Sequence, residues 1–280
     1  MRLRTLAFLL AMIATHSHAS PQRVVSLNLC ADELVLRLAA PGTVKSVTWL
    51  ARDPTLSNVA AIAQQVPVNR GLAEDVIPLD PDLVIAGAYT ARTAVALLKR
   101  VGIPVLELDV PTNIEQALQQ IMDVAAALGT HARGAELVAD MRRRLAALPA
   151  AAQSARRPIA AVYQPNGYTI GRQSLVDDLL NQAGLRNLAV EQRIDNYGTL
   201  PLEVLLLAQP DLLVLNTVGD SAPALAYEVL HHPALAQHYR GVRVVSVPSS
   251  WWSCPGPGLV DAIQLLKQSA QQLLPRSVAR

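Results

Sequence analysis

Residues 73–87 read AEDVIPLDPDLVIAG, and residues 202–216 read LEVLLLAQPDLLVLN. Four identical residues recur at a constant offset of 129, and they pair as Glu74 with Glu203, Pro81 with Pro210, Asp82 with Asp211 and Leu83 with Leu212. In each copy a helical stretch ends at Pro-Asp, because proline stops a helix and presets a turn, and an apolar strand follows. The repeat predicts two lobes of similar construction.

The same alternation of strand and helix extends through the rest of the chain. Short runs rich in β-branched residues or leucine lie at residues 23–27, 83–86, 105–108, 159–163, 212–215 and 242–247. The helical patterns that follow them lie at residues 31–40, 91–101, 114–128, 174–183, 222–230 and 259–274. Continuous apolar strands that alternate with helices are typical of parallel sheets covered on both faces. The predicted fold class is α/β, with two Rossmann-like lobes on parallel sheets and a ligand cleft between them.

One long helix is predicted to join the lobes. Apolar residues recur at helical spacing over residues 131–148, and the proline-containing stretch after Leu148 breaks the pattern. We therefore predict a bridging helix there, between an N-terminal lobe at 20–130 and a C-terminal lobe at 149–280. The triple arginine at 142–144 is predicted to be a solvated face of this helix.

Residues 1–19 have the features of a cleavable export signal. Arg2 and Arg4 precede an apolar run at residues 6–14, and Ser17-His18-Ala19 places small residues where a signal peptidase cleaves. The run is shorter than the ~20 apolar residues that span a bilayer. No cysteine lies at the predicted cleavage point, where a lipid anchor would attach. We expect a soluble, exported periplasmic protein.

Composition and motifs exclude several functions. Lys and Arg number 24 against 22 Asp and Glu, and the first four residues supply two of the cations, so no basic surface for nucleic acid or anionic membrane is expected. The chain has no GxGxxG after a strand, no P-loop lysine motif and no GxSxG, and its histidines lack the carboxylate spacing of a catalytic or zinc site. His231-His232 is expected to cap a helix or lie in solvent. We predict no catalytic residue, no metal site and no cofactor.

The aromatic residues are few and collect in predicted loops. Phe occurs once, at Phe8, beside three Trp and six Tyr. Seven rings follow predicted strands or lie in loops, namely Trp49, Tyr89, Tyr163, Tyr168, Tyr197, Trp251 and Trp252. Because ligands of parallel sheets bind beyond the carboxyl ends of strands, we predict an aromatic-lined cleft for a large, flat or greasy ligand. The alternative is that the rings lie at element ends with their polar tips outward.

The chain resembles the single-helix-hinged periplasmic substrate-binding proteins of ATP-driven importers for vitamin B12, haem and iron chelates. The resemblance covers the whole chain after the signal and rests on RVVSLNLCADELVLRLA (23–39), WLARDPTLS (49–57), the repeat at 73–87 and YQPNGYTIG (163–171). It implies a monomeric bilobal carrier that delivers its ligand to a permease dimer in the inner membrane. The Glu-x6-Pro-Asp pattern in both lobes is its most specific element.

The resemblance also implies roles for individual residues. Glu74 and Glu203 would each face arginines of the permease, because the family presents one surface glutamate per lobe. The seven loop aromatics fall at or near the pocket of the cobalamin-binding member. The chain departs from that member at Val68-Asn69-Arg70, where a tryptophan is replaced, and in the closing loop SSWWSCPGPG (249–258). Arg70, with Arg92 and Arg172, would either meet a ligand phosphate or carboxylate or lie in solvent.

The two cysteines leave three interpretations open. Cys30 lies between the first strand and the following helix, and Cys254 lies in the loop after the last long strand. In an oxidising compartment such a pair favours a disulfide, provided the Cα atoms approach within ~7 Å. The alternatives are two ligand-facing thiols that contact a soft metal centre, and two unrelated buried thiols.

These observations favour a carrier that captures cobalamin or a related metal chelate and releases it unchanged. A ferric siderophore or haem is the alternative ligand, with a tyrosine as phenolate ligand in the haem case. Two other functions remain open: an exported cleft enzyme with Cys30 as nucleophile, and a sensor domain that reports its ligand to a membrane partner. A helix bridge bends less readily than paired loops, so we expect little lobe motion on binding.

Overall fold

The computed structural model describes residues 20–150, 156–217 and 243–273. The predicted signal peptide, the helix predicted at 222–230 and His231-His232 lie outside the described residues.

The N-terminal lobe is built on a five-stranded parallel sheet with the order β3-β2-β1-β4-β5. Its strands are β1 (Val24–Ser26), β2 (Val44–Thr48), β3 (Val68–Asn69), β4 (Leu83–Gly87) and β5 (Val105–Leu108). Its helices are α1 (Leu29–Leu38), α2 (Ala60–Ala63), α3 (Ala73–Val76), α4 (Arg92–Arg100) and α5 (Ile114–Ala127), and a 3₁₀ turn at Trp49–Arg52 follows β2. β4 lies between β1 and β5, so its apolar run is buried as the sequence predicts.

Helix α6 (His131–Ala147) follows and leads into the C-terminal lobe. That lobe has a four-stranded parallel sheet of order β11-β10-β6-β8 and a separate antiparallel ribbon of β7 and β9. Its elements are β6 (Ile159–Val162), β7 (Tyr168–Ile170), α7 (Leu175–Gln182), β8 (Arg186–Asn187), α8 (Leu188–Glu191), β9 (Tyr197–Thr199), α9 (Leu202–Ala208), β10 (Leu212–Thr217), β11 (Arg243–Pro248), α10 (Ser249–Trp252) and α11 (Gly258–Leu273). The predicted α/β class with parallel sheets is confirmed, whereas the ribbon was not predicted.

The repeated Pro-Asp has the same structural role in both lobes. Asp82 accepts hydrogen bonds from the backbone N–H groups of Gln22 and Arg23, both at 2.8 Å, just before β1 begins. Asp211 accepts one from Ile159 N at 2.8 Å, where β6 begins. Each aspartate therefore anchors the first strand of its lobe to the strand that follows the repeated helix.

The backbone repeats as well as the side chains. Asp80 and Gln209, at the same offset of 129, both end their helices in the left-handed region, with φ of 44° and 45°. Partial burial acts to raise the pKa of Asp82, but its backbone N–H donors lower that pKa below its ordinary value. A tight helix-to-strand turn thus explains why this stretch recurs.

Helix α6 contacts both lobes. Arg142 pairs with Glu115 of α5 at 2.8 Å, and Arg144 pairs with Asp261 of α11 at 2.6 Å. Of the triple arginine, Arg142 and Arg143 are exposed as predicted, whereas Arg144 is half-buried because of this second pair.

At Gly134, α6 packs closely against α5. A Cβ atom added there would lie 2.4 Å from the Cβ of Ala125. We expect Gly134→Leu to lower the free energy of unfolding by about 2–3 kcal/mol, because a side chain inserted into a packed interface forces the backbones apart. Urea unfolding monitored by circular dichroism measures this loss. The neighbouring Ala135 is exposed, so Ala135→Leu is the matched control and should change the free energy of unfolding by less than about 0.5 kcal/mol. Equal losses of stability in both variants would contradict the close packing at Gly134.

Candidate functional site

A cavity of about 180 Å³ lies between the two lobes. The N-terminal lobe contributes Val110 and Pro111, which follow the carboxyl end of β5. The C-terminal lobe contributes the rest of the lining, which is Ile170, Ser174, Leu175, Val176, Tyr197, Trp252 and Ser253. Most of these side chains are apolar. Val110 and Pro111 follow β5, and Trp252 and Ser253 follow β11, so they lie beyond the carboxyl ends of parallel strands, where α/β sheets bind ligands.

Four aromatic side chains are exposed on the loops and ribbon of the two lobes. Trp49 follows β2 and Tyr89 follows β4, and their exposed fractions are 58% and 73%. Tyr168 and Tyr197 lie on the ribbon β7–β9 with ring centroids 5.9 Å apart and planes only 13° apart. Tyr197 also lines the cavity, whereas Trp49 and Tyr89 follow strands of the sheet that contains β5, so they lie toward the same edge of that sheet as Val110 and Pro111. We call Trp49, Tyr89, Tyr168 and Tyr197 the aromatic rim.

The two neighbouring tryptophans lie deeper. Trp252 is buried, lines the cavity and lies with its Nε1 atom 3.4 Å from Oδ1 of Asn216. Ser249 donates to the same oxygen at 2.6 Å, so Asn216 at the end of β10 holds both ends of the short helix α10. Trp251 is half-buried and packs against the core. Asn216 was missed by the sequence analysis, because an asparagine at a strand end carries no pattern that marks it.

Tyr163 is not in the cleft, which corrects the prediction that it faces a ligand there. It is 1% exposed and packs in the core of the C-terminal lobe with Leu188 and Leu205. The reason is strand alternation: Ala161 lies two residues earlier on the same face, and that face is covered by helices. Burial, and to a lesser extent the charge of Glu203, raises the pKa of the Tyr163 hydroxyl.

The cysteines form a disulfide. Cys30 at the start of α1 is bonded to Cys254, with their Cα atoms 4.9 Å apart, so a covalent bond joins the two lobes. This is the first of the three interpretations. The other two are wrong, and so is the hypothesis of an enzyme with Cys30 as nucleophile, because a disulfide-bonded sulfur offers no thiolate to a metal or a substrate.

Polar contacts reinforce the disulfide. Asn58 donates to the carbonyl oxygen of Ser250 across the lobes and also to Glu33 on α1. Burial raises the pKa of Glu33, and the nearby charge of Arg37, 3.1 Å away, partly offsets this effect. Gly256 lies so close that a Cβ atom there would be 2.5 Å from Oε1 of Glu33. We call this contact, made by Cys30, Glu33 and Asn58 with residues 250–256, the disulfide joint.

A second joint lies on another side of the cavity. Asp178 of α7 accepts a hydrogen bond from the backbone N–H of Ile114, the first residue of α5, at 2.9 Å. Pro111, three residues before Ile114, lines the cavity, as does Ser253, next to Cys254. Contacts between the lobes are therefore present at two places beside the cavity, one covalent and one hydrogen-bonded. Both resist separation of the lobes, which favours the predicted small lobe motion on binding.

Asp32 fixes the turn that presents Trp49. It is fully buried on α1 and accepts hydrogen bonds from Thr48, from the backbone N–H at 3.0 Å and from the hydroxyl. Thr48 is the residue before the exposed ring of Trp49. Burial raises the pKa of Asp32 from 3.8 to about 6, although hydrogen bonds from Ser26 and Thr48 act to lower it.

This pKa predicts a pH dependence of stability. Between about pH 4 and pH 6 the folded state binds more protons than the unfolded state, so stability falls as the pH rises through this window. The shift corresponds to roughly 3 kcal/mol lost by pH 7. Urea unfolding from pH 4 to pH 7 should show this fall, with a smaller slope in Asp32→Asn. Asp53 is the control, because hydrogen bonds from Thr55 lower its pKa instead of raising it, and Asp53→Asn should keep the wild-type slope in this pH range. An unchanged slope in Asp32→Asn would contradict the assignment of the pH dependence to Asp32.

The predicted arginines lie outside the cavity lining. Arg70 is exposed, and its guanidinium lies 3.5 Å from Asp75, whose carboxylate also accepts from Arg70 N at 3.0 Å. Arg172 lies 3.6 Å from Asp195, and Arg92 is exposed at the start of α4. Two of the three cations therefore have acidic neighbours.

The two glutamates of the repeat are both exposed. Glu74 lies in the first turn of α3 and Glu203 in the first turn of α9. Neither forms an ion pair with another residue in the part of the chain that the structure describes.

Within residues 20–150, 156–217 and 243–273, no three His, Cys, Asp or Glu side chains are grouped so that they could hold a metal ion. None of the helices in these ranges is both long and apolar enough to cross a membrane.

Two parallel-sheet lobes, a single connecting helix and an apolar cavity between the lobes define a bilobal ligand-binding protein. The family model for periplasmic binding proteins matches residues 24–239, and the chain belongs to this family. The family consists of binding proteins that act outside the cytoplasm.

Individual relatives are similar over most of the chain. A cobalamin-binding protein of Halobacterium salinarum is 28% identical over 250 residues, which are 87% of this chain and 68% of that protein. An uncharacterized ABC transporter substrate-binding lipoprotein of Bacillus subtilis, YvrC, is 24% identical and covers 89% of this chain and 80% of its own. The periplasmic heme-binding protein RhuT of Roseiflexus sp. RS-1, in its apo form, superimposes with a TM-score of 0.71 at 25% identity, covering 89% of this chain and 99% of its own.

Proposed function

We propose that the protein is the substrate-binding component of an ABC importer, which captures cobalamin or a related metal chelate and passes it to a permease. The observation that carries this proposal is the apolar cavity between two lobes, which is lined by Tyr197 of the stacked pair Tyr168–Tyr197. Trp49 and Tyr89 are exposed beyond the carboxyl ends of strands in the facing lobe. The ligand is cargo that is released unchanged, so the protein needs neither a cofactor nor a catalytic residue.

The dimensions of the site favour a broad, flat ligand. Enclosed pockets for drug-sized ligands have volumes of about 300–1,000 Å³, and the cavity of about 180 Å³ is smaller. A chelate of macrocyclic size would therefore lie on the rim and insert only an edge or a substituent. Exposed indole and phenol faces suit such a ligand, because ring faces stack on flat conjugated surfaces.

Cobalamin is the preferred chelate, and haem or a ferric siderophore is the alternative. Similarity to a cobalamin-binding protein supports the first. Similarity to a heme-binding protein supports the second, as do the exposed phenols of Tyr89, Tyr168 and Tyr197, any of which would supply an axial oxygen to iron. Tyr163 is too buried for this role.

The proposal also includes export to the periplasm and docking to the permease. Export through the signal at residues 1–19 would bring the protein to the periplasm, where the disulfide is stable. Glu74 and Glu203 would bind cationic side chains of the two permease subunits. A sensor that reports its ligand would need the same cleft, so transport of the bound chelate into cells or vesicles separates the two functions.

A titration of the protein with cyanocobalamin, haemin and a ferric hydroxamate tests the ligand class. Each compound absorbs in the visible range, and its binding beside Trp49 should quench tryptophan fluorescence. We expect saturable 1:1 binding of one of them, tightest for cyanocobalamin. Absence of binding by all three would refute the proposed chelate class.

Replacing the ring of Tyr197 separates stacking from metal ligation. Tyr197→Ala should weaken binding of the preferred chelate about 10–100-fold, since it removes a stacked, partly buried ring from the ligand contact. Tyr197→Phe is the matched control, and it should keep most of the affinity if the ring stacks. A loss as large in Phe as in Ala, together with a changed haem spectrum, would instead identify the hydroxyl as an iron ligand.

A further inference from the structure

An exposed aliphatic side chain lies beside each repeat glutamate. Leu207 is 84% exposed and lies one helical turn after Glu203, on the same face of α9. Ile77, three residues after Glu74, is 41% exposed. Burying such side chains is favourable by about 25 cal/mol per Å² of apolar surface, so burial of either one against a partner would stabilise the complex.

Both pairs lie toward the same end of their sheets. A helix that leads into a parallel strand runs against that strand, so its first turn is near the carboxyl-end edge of the sheet and its last turn near the amino-end edge. Glu74 precedes β4 in this way, and Glu203 precedes β10. Trp49, Tyr89 and the cavity residues Val110 and Trp252 also follow carboxyl ends of parallel strands. The two pairs therefore flank the side on which a ligand would enter and leave.

The residues before the glutamates repeat this arrangement. Leu72 and Pro201, again at the offset of 129, are both exposed. Each lobe thus offers a carboxylate between two apolar groups, without an ion-pair partner among the described residues. A carboxylate flanked by apolar surface fits a cation placed at the rim of an apolar depression.

We propose that Leu207 and Ile77 are docking anchors, each of which inserts into an apolar depression beside the cation that binds the neighbouring glutamate. The partner is the permease, with one subunit for each lobe, because two similar patches, each with a glutamate at the same position of the repeat, match a partner with two-fold symmetry. Leu207 lies one position later in the repeat than Ile77. This inference rests on the proposed function and adds to it the residues that would supply most of the apolar binding energy.

The test measures binding of the protein to its cognate permease–ATPase complex in lipid nanodiscs. Leu207→Ser and Ile77→Ser should each weaken this binding about 10-fold, and the double variant about 100-fold, because distant sites contribute additively. The weakening should be the same at 50 and 300 mM NaCl, since an apolar contact is not screened by salt. Val101 has an exposed fraction between those of Ile77 and Leu207, and it caps the end of α4, toward the opposite end of the sheet. Val101→Ser is therefore the matched control and should bind as wild type does.

Titration of the same variants with the chelate distinguishes a failure of the proposed docking anchors from a failure of the proposed function. Unchanged affinity for the chelate, with weaker docking of both serine variants, is the expected result. Wild-type docking by either serine variant would overturn the pairing of anchors while leaving the carrier function intact. A wild-type protein that binds a chelate but not the importer would overturn both the docking inference and the transport proposal.

Discussion

A variant with both Cys30→Ser and Cys254→Ser should unfold with a free energy about 3–5 kcal/mol lower than that of the wild type. The disulfide joins residues 224 apart, and the entropy that a cross-link removes from the unfolded chain grows with the length of the closed loop. The chain-entropy relation gives about 5 kcal/mol for a loop of this length, and measured values for native disulfides are commonly 2–4 kcal/mol. This is the largest stability effect that a change at one contact should have here.

Guanidinium chloride unfolding under non-reducing conditions measures the loss, and wild type with added dithiothreitol should match the variant. Asn58→Ala is the control for the polar part of the disulfide joint and should cost only about 1–2 kcal/mol. Two free thiols in the denatured, unreduced wild type would contradict the disulfide itself. A loss below about 1 kcal/mol would contradict its role in holding the lobes together.

The disulfide also bears on ligand binding. Cys254 lies two residues after Trp252, which lines the cavity, and the disulfide joint holds this segment against α1. Asp32, also on α1, fixes the turn that presents Trp49. One helix of the N-terminal lobe therefore positions both the wall of the cavity and part of the aromatic rim, so the binding surface is organised before the ligand arrives and little ordering is needed on binding.

Much of the fold follows from local patterns in the sequence. β5 begins and ends at the predicted residues and β4 extends one residue beyond its prediction, because short runs rich in β-branched residues or leucine between turn residues define strands without help from distant contacts. The helix predicted over 131–148 ends at Ala147, where the proline-containing stretch follows. The repeat predicted two similar lobes, and its aspartates have the same anchoring role in both.

The site was less predictable, because its contacts join residues far apart in the chain. Tyr163 follows a strand just as Trp49 does, but whether a residue at a strand end faces the cleft or the helices depends on the strand alternation and on what covers each face. The disulfide and the contacts of Asn58 and Asp178 depend on how the lobes meet, and the contacts of Asn216 depend on how β10 packs beside the segment after β11. No spacing in the sequence reports that arrangement.

Charge reversal at both repeat glutamates, Glu74→Lys with Glu203→Lys, should reduce uptake of the chelate more than 100-fold. On the proposed function each carboxylate faces a cation of the permease, so each lysine replaces an attraction with a like-charge contact. Such contacts cost several kcal/mol when they are partly desolvated, and 1.4 kcal/mol is already a tenfold change in affinity. Both side chains are exposed and form no ion pair with described residues, so folding and chelate affinity should stay at wild-type levels.

Uptake of labelled cyanocobalamin, or of whichever chelate binds, into proteoliposomes that contain the importer provides the measurement. Glu136→Lys is the matched control, because Glu136 is also exposed but lies on α6, away from the repeated helices. The single variants should each be intermediate, and their docking affinities should depend on salt, unlike those of Leu207→Ser and Ile77→Ser, because charge pairs at an interface rim are screened. Wild-type uptake by the double variant would show that neither glutamate meets the permease, and the docking surface would then have to lie elsewhere. The other expected outcome is a loss of docking affinity that depends on salt in the glutamate variants and does not depend on salt in the aliphatic variants. The docking surface would then have two parts. The charged part orients the carrier on the importer, and the apolar part keeps it bound while the chelate is released.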